Sequence, residues 1–222
     1  MLLVTLMSKQ EKVILVHGLW MHGIVMALMR HRIERCGYHV LSYSYPSMDL
    51  SLAENAERLS RFCIEQGAGR LHFVGHSLGG PVILTLLENA AALDIGRIVL
   101  AGPPYAGSFA ARRFEQLPGG HKALGCSIRQ WLDHGRAADY ARYEIGVIAG
   151  SSNIGLGSLI APDLPRPNDG VVTVEETRVP GARDHIVLRA SHSSMLVSAE
   201  VARQLCAFLR TGAFSRGMKE EG

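Results

Sequence analysis

Short apolar, β-rich runs alternate with stretches of helical periodicity along the chain. The runs fall at 13–17, 40–43, 71–75, 97–101, 144–149 and 185–189, predicting six strands. They are nearly continuous in apolar residues rather than strictly alternating, as expected where helices cover both faces of a parallel sheet. Between the second and third runs, Ser51 followed by Glu54 makes a capping box. Leu52, Ala56, Leu59 and Cys63 then recur at helical spacing. Pro81 sits just inside a further helical run that begins near Ser77, where the first turn tolerates a missing amide. Val197, Val201, Leu205 and Phe208 share one face of a last helix, after which the tail beyond Thr211 is expected to be loose.

The pattern predicts an α/β fold: a mostly parallel central sheet of about six or seven strands with helices on both faces. At 222 residues, a single domain over 1–222 is expected. The connection over 103–143 is longer than one crossover helix requires. It carries Pro118, Gly119, Gly120 and a helical stretch around 128–132, and is read as a helix plus a small cap. The stretch 151–170, rich in Gly, Ser, Asn and Pro, is read as a loop leaving the fifth strand.

With 47% hydrophobic and 19% charged residues, the chain is neither disordered nor collagen-like. A net charge of only +3 gives no reason to expect nucleic acid as a partner. Cys36, Cys63, Cys126 and Cys206 lie far apart without a CxxC pair, and are expected as buried reduced thiols. No apolar run approaches the roughly 20 residues of a transmembrane helix. The apolar start lacks a basic segment and an AxA-like cleavage site, and Met7 opens a segment like an ordinary beginning. The first six residues are therefore expected to be an optional extension, and the setting cytoplasmic. No heptad or interface pattern specifies an oligomeric state.

The chemistry centres on the third predicted strand, which runs directly into GHSLGG. Gly75, Ser77 and Gly79 satisfy GxSxG between a strand and a helix. That string alone is weak; its context gives it weight. Serine needs an imidazole to take its proton and a carboxylate to orient the imidazole. His192, in ASHSSML after the last strand, overhangs the sheet edge where Ser77 is expected, whereas His185 lies in the strand and His76 in the turn. His31, His39, His72, His121 and His134 are assigned no chemistry. Asp169, in PNDGVV before Gly170, is the expected acid, with Asp163 as its competitor in the same loop and Asp184 at the strand's other end. An Asn-Asp-Gly sequence on its own is ordinary turn chemistry. The backbone amides of Leu78, after Ser77, and Leu19, in the HGLW turn, are the expected oxyanion donors. Trp20, Met21, Tyr105, Phe109 and Met195 are expected near the same edge as acyl-pocket residues, although core packing explains each singly.

HGLW, GHSLGG, PNDGVV and SHSSML together resemble the α/β-hydrolase family, in particular its compact lipase and esterase branch, over about 13–209. The resemblance implies a mostly parallel sheet and a Ser77, Asp169, His192 triad in that chain order. AGPPYAGS is similar to a segment that borders the substrate cleft in lipase-like members. Larger secreted lipases differ in carrying a long lid and paired cysteines.

The expected function is hydrolysis of a small-molecule acyl ester through an acyl-enzyme, with neither cofactor nor metal required. Gly155 and Gly157 begin something like GxGxxG, but Ile160 breaks it, and no zinc-type His or Cys spacing is present. A non-catalytic binder of hydrophobic ligands on the same scaffold, or an acyltransferase or thioesterase, are the alternatives.

Overall fold

Each apolar run becomes a strand of one parallel sheet in the computed structural model, which describes residues 11–88, 92–133, 139–154 and 160–216. The optional extension before Met7, His134, and the Gly155 and Gly157 pair lie outside the described residues, as does the end of the tail. The strands are β1 (Lys12–Val16), β2 (His39–Tyr43), β3 (Leu71–His76), β4 (Ile95–Ala101), β5 (Ile145–Gly150) and β6 (Asp184–Leu188), within two residues of expectation. Their order is β2-β1-β3-β4-β5-β6, every neighbouring pair parallel.

Period-two alternation sorts the strand side chains into two apolar layers. Ile14, Val16, Phe73, Ile98, Leu100 and Val147 face one cluster; Val13, Leu15, Val74, Val99 and Ile148 face the other. Helix α2 (Leu52–Glu65) and helix α3 (Gly79–Glu88) cover the first face. The capping box of α2 forms as the sequence requires: Ser51 Oγ accepts from Glu54 N–H, and the Glu54 carboxylate accepts from Ser51 N–H. α3 is apolar nearly all round because it lies between the sheet and α2.

The second face is covered by α1 (Ala27–Glu34) and, after two short helices between β4 and β5, by the helix that ends the fold. Those two are α4 (Phe109–Glu115) and α5 (Gly120–Asp133), the latter kinked at Gly125; the last is α6 (Ala199–Thr211). α1 has no counterpart among the expected elements: only Met29 and Ile33 of its eight residues are buried, too sparse a stripe to read as a helix.

The thiol expectation is corrected. Cys36, just past α1, and Cys206, on α6, form a disulfide across 170 residues of chain, with Cα atoms 6.3 Å apart. Both helices pack on the same sheet face, a proximity that sequence spacing does not carry. Cys63 and Cys126 are free, and only Cys63 is buried.

From β1 the chain passes outward to β2, and from β3 onward it runs in the opposite direction through β4, β5 and β6. The carboxyl ends of β1 and β3 therefore flank the topological switch point, where open α/β sheets form a crevice.

Candidate active site

Ser77 follows β3 at that switch point with φ +53°, a conformation a non-glycine residue rarely holds. The turn is tight enough to require its glycines. A Cβ on Gly75 would lie 2.9 Å from the backbone of Gly79 and Gly80, and one on Gly79 would lie 2.2 Å from Val16 O. Gly18, after β1, approaches as closely: its Cβ would sit 3.0 Å from Ser77 Cβ. Ser77 N–H donates to Ala101 O at 2.9 Å, and Ser77 O accepts from Gly80 N–H at 2.9 Å, so both backbone groups of the strained residue are held.

Asp169 and His192 come from separate loops and meet in the interior. Asp169 Oδ2 lies 2.7 Å from His192 Nδ1, while Oδ1 accepts from the N–H groups of Val171 at 2.9 Å and Val172 at 2.7 Å. The backbones join too, His192 N–H donating to Asp169 O at 2.8 Å. Both side chains are buried. Burial alone would raise the Asp169 pKa, but the His192 charge and hydrogen bond, together with the two amides, leave it below the ordinary value. An ionised Asp169 accepts from Nδ1–H, so a neutral His192 ring carries its lone pair on Nε2.

Two further histidines brace this arrangement. His76 Nε2 donates to His192 O at 2.9 Å, with ring centroids 4.8 Å apart. Its burial, and then the neighbouring His192, lower its pKa to about 3, keeping it neutral. His17 Nε2 accepts from Tyr45 N–H at 3.2 Å, which leaves its proton on Nδ1 to donate to Gly18 O at 2.8 Å. Tyr45 stacks on that ring at 4.4 Å and donates its hydroxyl to His17 O at 2.9 Å. The turn carrying Gly18 and Leu19 is thereby fixed.

Ser77 and His192 open on one cavity of about 230 Å³. Its wall includes Leu19 and Leu78, whose amides donate to no other protein group among the described residues. It also includes Trp20, which has φ +58° and bridges to the helical layer through Nε1–H to Ala123 O at 2.8 Å. The Ser77 hydroxyl makes no hydrogen bond to the His192 ring among the described residues, where His192 Nδ1 is engaged by Asp169.

Of the five expected pocket residues, Trp20 and Met21 line the cavity and the other three do not. Tyr105 is buried against Trp131 and Tyr140. Phe109 packs on Ala110, Ala161 and Leu164, and Met195 belongs to the core of the opposite sheet face. The wall is built instead by Ala110, Ala111 and Phe114 of α4 and Leu124 and Ile128 of α5. The four-residue spacings of Ala110 with Phe114, and of Leu124 with Ile128, were the available signal.

Of the competing acids, Asp163 is ion-paired with Arg113 at the surface, and Asp184 is held by Arg216 and Phe214 N–H. Among the described residues, no three His, Cys, Asp or Glu side chains converge as a metal-binding set. No helix among them is long and apolar enough to cross a membrane.

The structure is similar to that of the Bacillus licheniformis lipase BlEst2 in its mature form, with TM-score 0.72 at 18% identity over 92% of this chain and 93% of that one. It is also similar to the metagenomic carboxyl esterase MGS0156, with TM-score 0.66 at 19% identity over 92% and 75%. Carboxylesterase CesB from Bacillus subtilis follows with TM-score 0.56 at 14% identity over 92% and 85%. No curated protein sequence matches significantly. The sequence pattern of the Alpha/beta hydrolase family matches residues 13–205, and the chain belongs to that family.

Proposed function

We propose that the protein hydrolyses carboxylic esters through an acyl-enzyme formed on Ser77. The reading is carried by one observation: a buried Asp169–His192 pair faces the same cavity as a serine held in strained backbone geometry. With the Ser77 hydroxyl turned toward His192 Nε2, the imidazole takes its proton as the oxygen attacks the ester carbonyl. Asp169 keeps the proton on Nδ1 and steadies the imidazolium that forms. The amides of Leu78 and Leu19 are the donors suited to the oxyanion, both belonging to residues of the cavity wall and without other partners among the described residues. His192 then returns its proton to the leaving alcohol, and water releases the acid by the reverse sequence.

That the similar structures are those of a lipase and of carboxylesterases supports an ester as substrate. Apolar side chains dominate the cavity wall, which favours an acyl chain over a polar group there. We read the chain as one domain over 1–222, with 103–143 forming a small cap that carries α4 and α5. The disulfide weighs against the cytoplasmic setting expected from the N-terminal segment, since such bonds persist chiefly in oxidising compartments.

The test is steady-state hydrolysis of p-nitrophenyl esters by the wild type and Ser77→Ala. Loss of about three to six orders of magnitude in kcat with an unchanged thermal midpoint is expected. A wild type without turnover, binding such esters intact, would favour the ligand-binding alternative; product transfer to an added alcohol would favour the acyltransferase.

A further inference from the structure

Glu176 lies seven residues beyond Asp169 and outside the catalytic groups described above, yet both of its carboxylate oxygens are engaged. Oε1 accepts from Phe109 N–H at 2.5 Å, at the start of α4. Oε2 accepts from Thr173 N–H at 2.8 Å, and Thr173 Oγ1 accepts in return from Glu176 N–H at 3.1 Å. We propose that Glu176 is a positioning residue that ties α4 to the Asp169 loop and so sets the length of acyl chain the Ser77 cavity accepts. This rests on the ester-hydrolase reading.

The two ties reach two different walls. Val171 and Val172 line the cavity, hold Asp169 Oδ1 with their amides, and lead directly into the turn closed by Thr173 and Glu176. Ala110, Ala111 and Phe114 line it from α4. α4 has only seven residues, well below the length at which a helix persists by its own hydrogen bonds, so its position depends on tertiary ties. Ser108 caps it from within, accepting from Ala111 N–H at 3.1 Å. Hydrogen bonds from this end to the rest of the fold go to residue 176, whose backbone oxygen also accepts from Ala106 N–H at 2.8 Å, beside the packing of Phe109 and Ala110 on Ala161 and Leu164. That second bond acts as a pivot, and the carboxylate fixes the angle about it.

An ionised carboxylate can accept from both amides, whereas a glutamine of the same shape presents its NH2 to one of them. Because the ties act in series, losing either one breaks the carboxylate link between α4 and the acid loop, leaving the surface Arg113–Asp163 ion pair and the packing of Phe109 and Ala110 on Ala161 and Leu164. Burial opposes the charge on Glu176 and raises its pKa, so the neutral isostere places no new charge in the interior. The reacting atoms touch neither tie. An acetyl group stays beside Ser77, while a longer chain must lie against α4.

The experiment measures kcat and KM for p-nitrophenyl acetate and p-nitrophenyl octanoate in the wild type, Glu176→Gln and Glu176→Ala. In Glu176→Gln, KM for octanoate should rise about tenfold with kcat within twofold, and acetate kinetics should stay within twofold. Glu176→Ala should shift octanoate further. Equal factors for both esters, or an unchanged octanoate KM, would overturn the proposal. If Glu176→Gln does not fold, Phe109→Pro removes the same donor where proline suits the first helical turn, and Ser108 already has extended backbone. The same octanoate-selective shift is expected there, and its absence counts against the tie. Should the wild type hydrolyse neither ester, the hydrolase reading fails by itself. Binding of cis-parinaric acid then decides about Glu176: weaker binding in Glu176→Gln supports the tie, equal affinity rejects it.

Discussion

Gly102 lies directly against the His192 imidazole: a Cβ there would be 3.1 Å from His192 Nδ1 and 3.2 Å from Asp169 Oδ2. Its φ of +60° also places it where side chains are disfavoured. β4 is thus followed directly by the residue whose missing side chain leaves room for the Asp169–His192 pair. Gly102→Ala should push the ring away from Asp169 and lower kcat on an activated ester about 10- to 100-fold, the scale of small misplacements in a catalytic array. The backbone strain adds a stability loss of about 1 kcal/mol or more. Kinetics and a denaturant titration on the same sample check both; full activity would show that the pair tolerates displacement.

Buried neutral histidines make stability fall toward acid pH. The folded-state pKa of His76 is about 3, lowered by burial, against an ordinary value near 6.5. Between those values the unfolded chain binds a proton that the folded chain does not. Stability therefore drops as pH falls from about 6.5 toward 3, on the order of 1.4 kcal/mol per pH unit for this one site. His17, His72 and His185 are also lowered by burial and act in the same direction. Asp169, held below its ordinary value, adds its loss only at lower pH, as its folded-state pKa is crossed. The guanidinium midpoint should decline from pH 7 to 5, and less steeply in His76→Gln. An equal decline in both proteins would remove His76 from this account.

The Cys36–Cys206 bond closes a loop of 170 residues, so it should constrain the unfolded chain strongly. Reduction, or Cys36→Ser, should cost about 2–5 kcal/mol in a denaturant titration. Alkylation with mass analysis before and after reduction should find two more reactive cysteines after reduction. Four alkylated cysteines without reductant would contradict the bond.

The strands and the serine, acid and histidine of the candidate site were legible in the sequence because each carries a local signature. A strand of a covered parallel sheet is a short apolar run, and the serine sits between glycines that the turn sterically requires. Asp169 and His192 could be placed because strand order sends both loops to the same edge of the sheet. What stayed hidden was contact between distant segments. Gly102 lies in AGPPYAGS, yet nothing in that string tells of its contact with the imidazole, and Cys36 and Cys206 gave no sign of sharing a sheet face. Glu176 stood among surface-like polar residues in VEETR, and its two partners lie in different loops. Tyr105, Phe109 and Met195 failed as cavity residues because proximity to an edge does not say which way a side chain turns.

Treatment with a fluorophosphonate, followed by peptide mass mapping of the wild type and Asp169→Asn, probes the Ser77 chemistry most directly. The account predicts a stoichiometric adduct on Ser77 in the wild type, forming about 10⁴-fold more slowly in Asp169→Asn because the imidazole loses its orienting acid. A folded wild type that stays unlabelled, or carries its adduct on another serine, would contradict it.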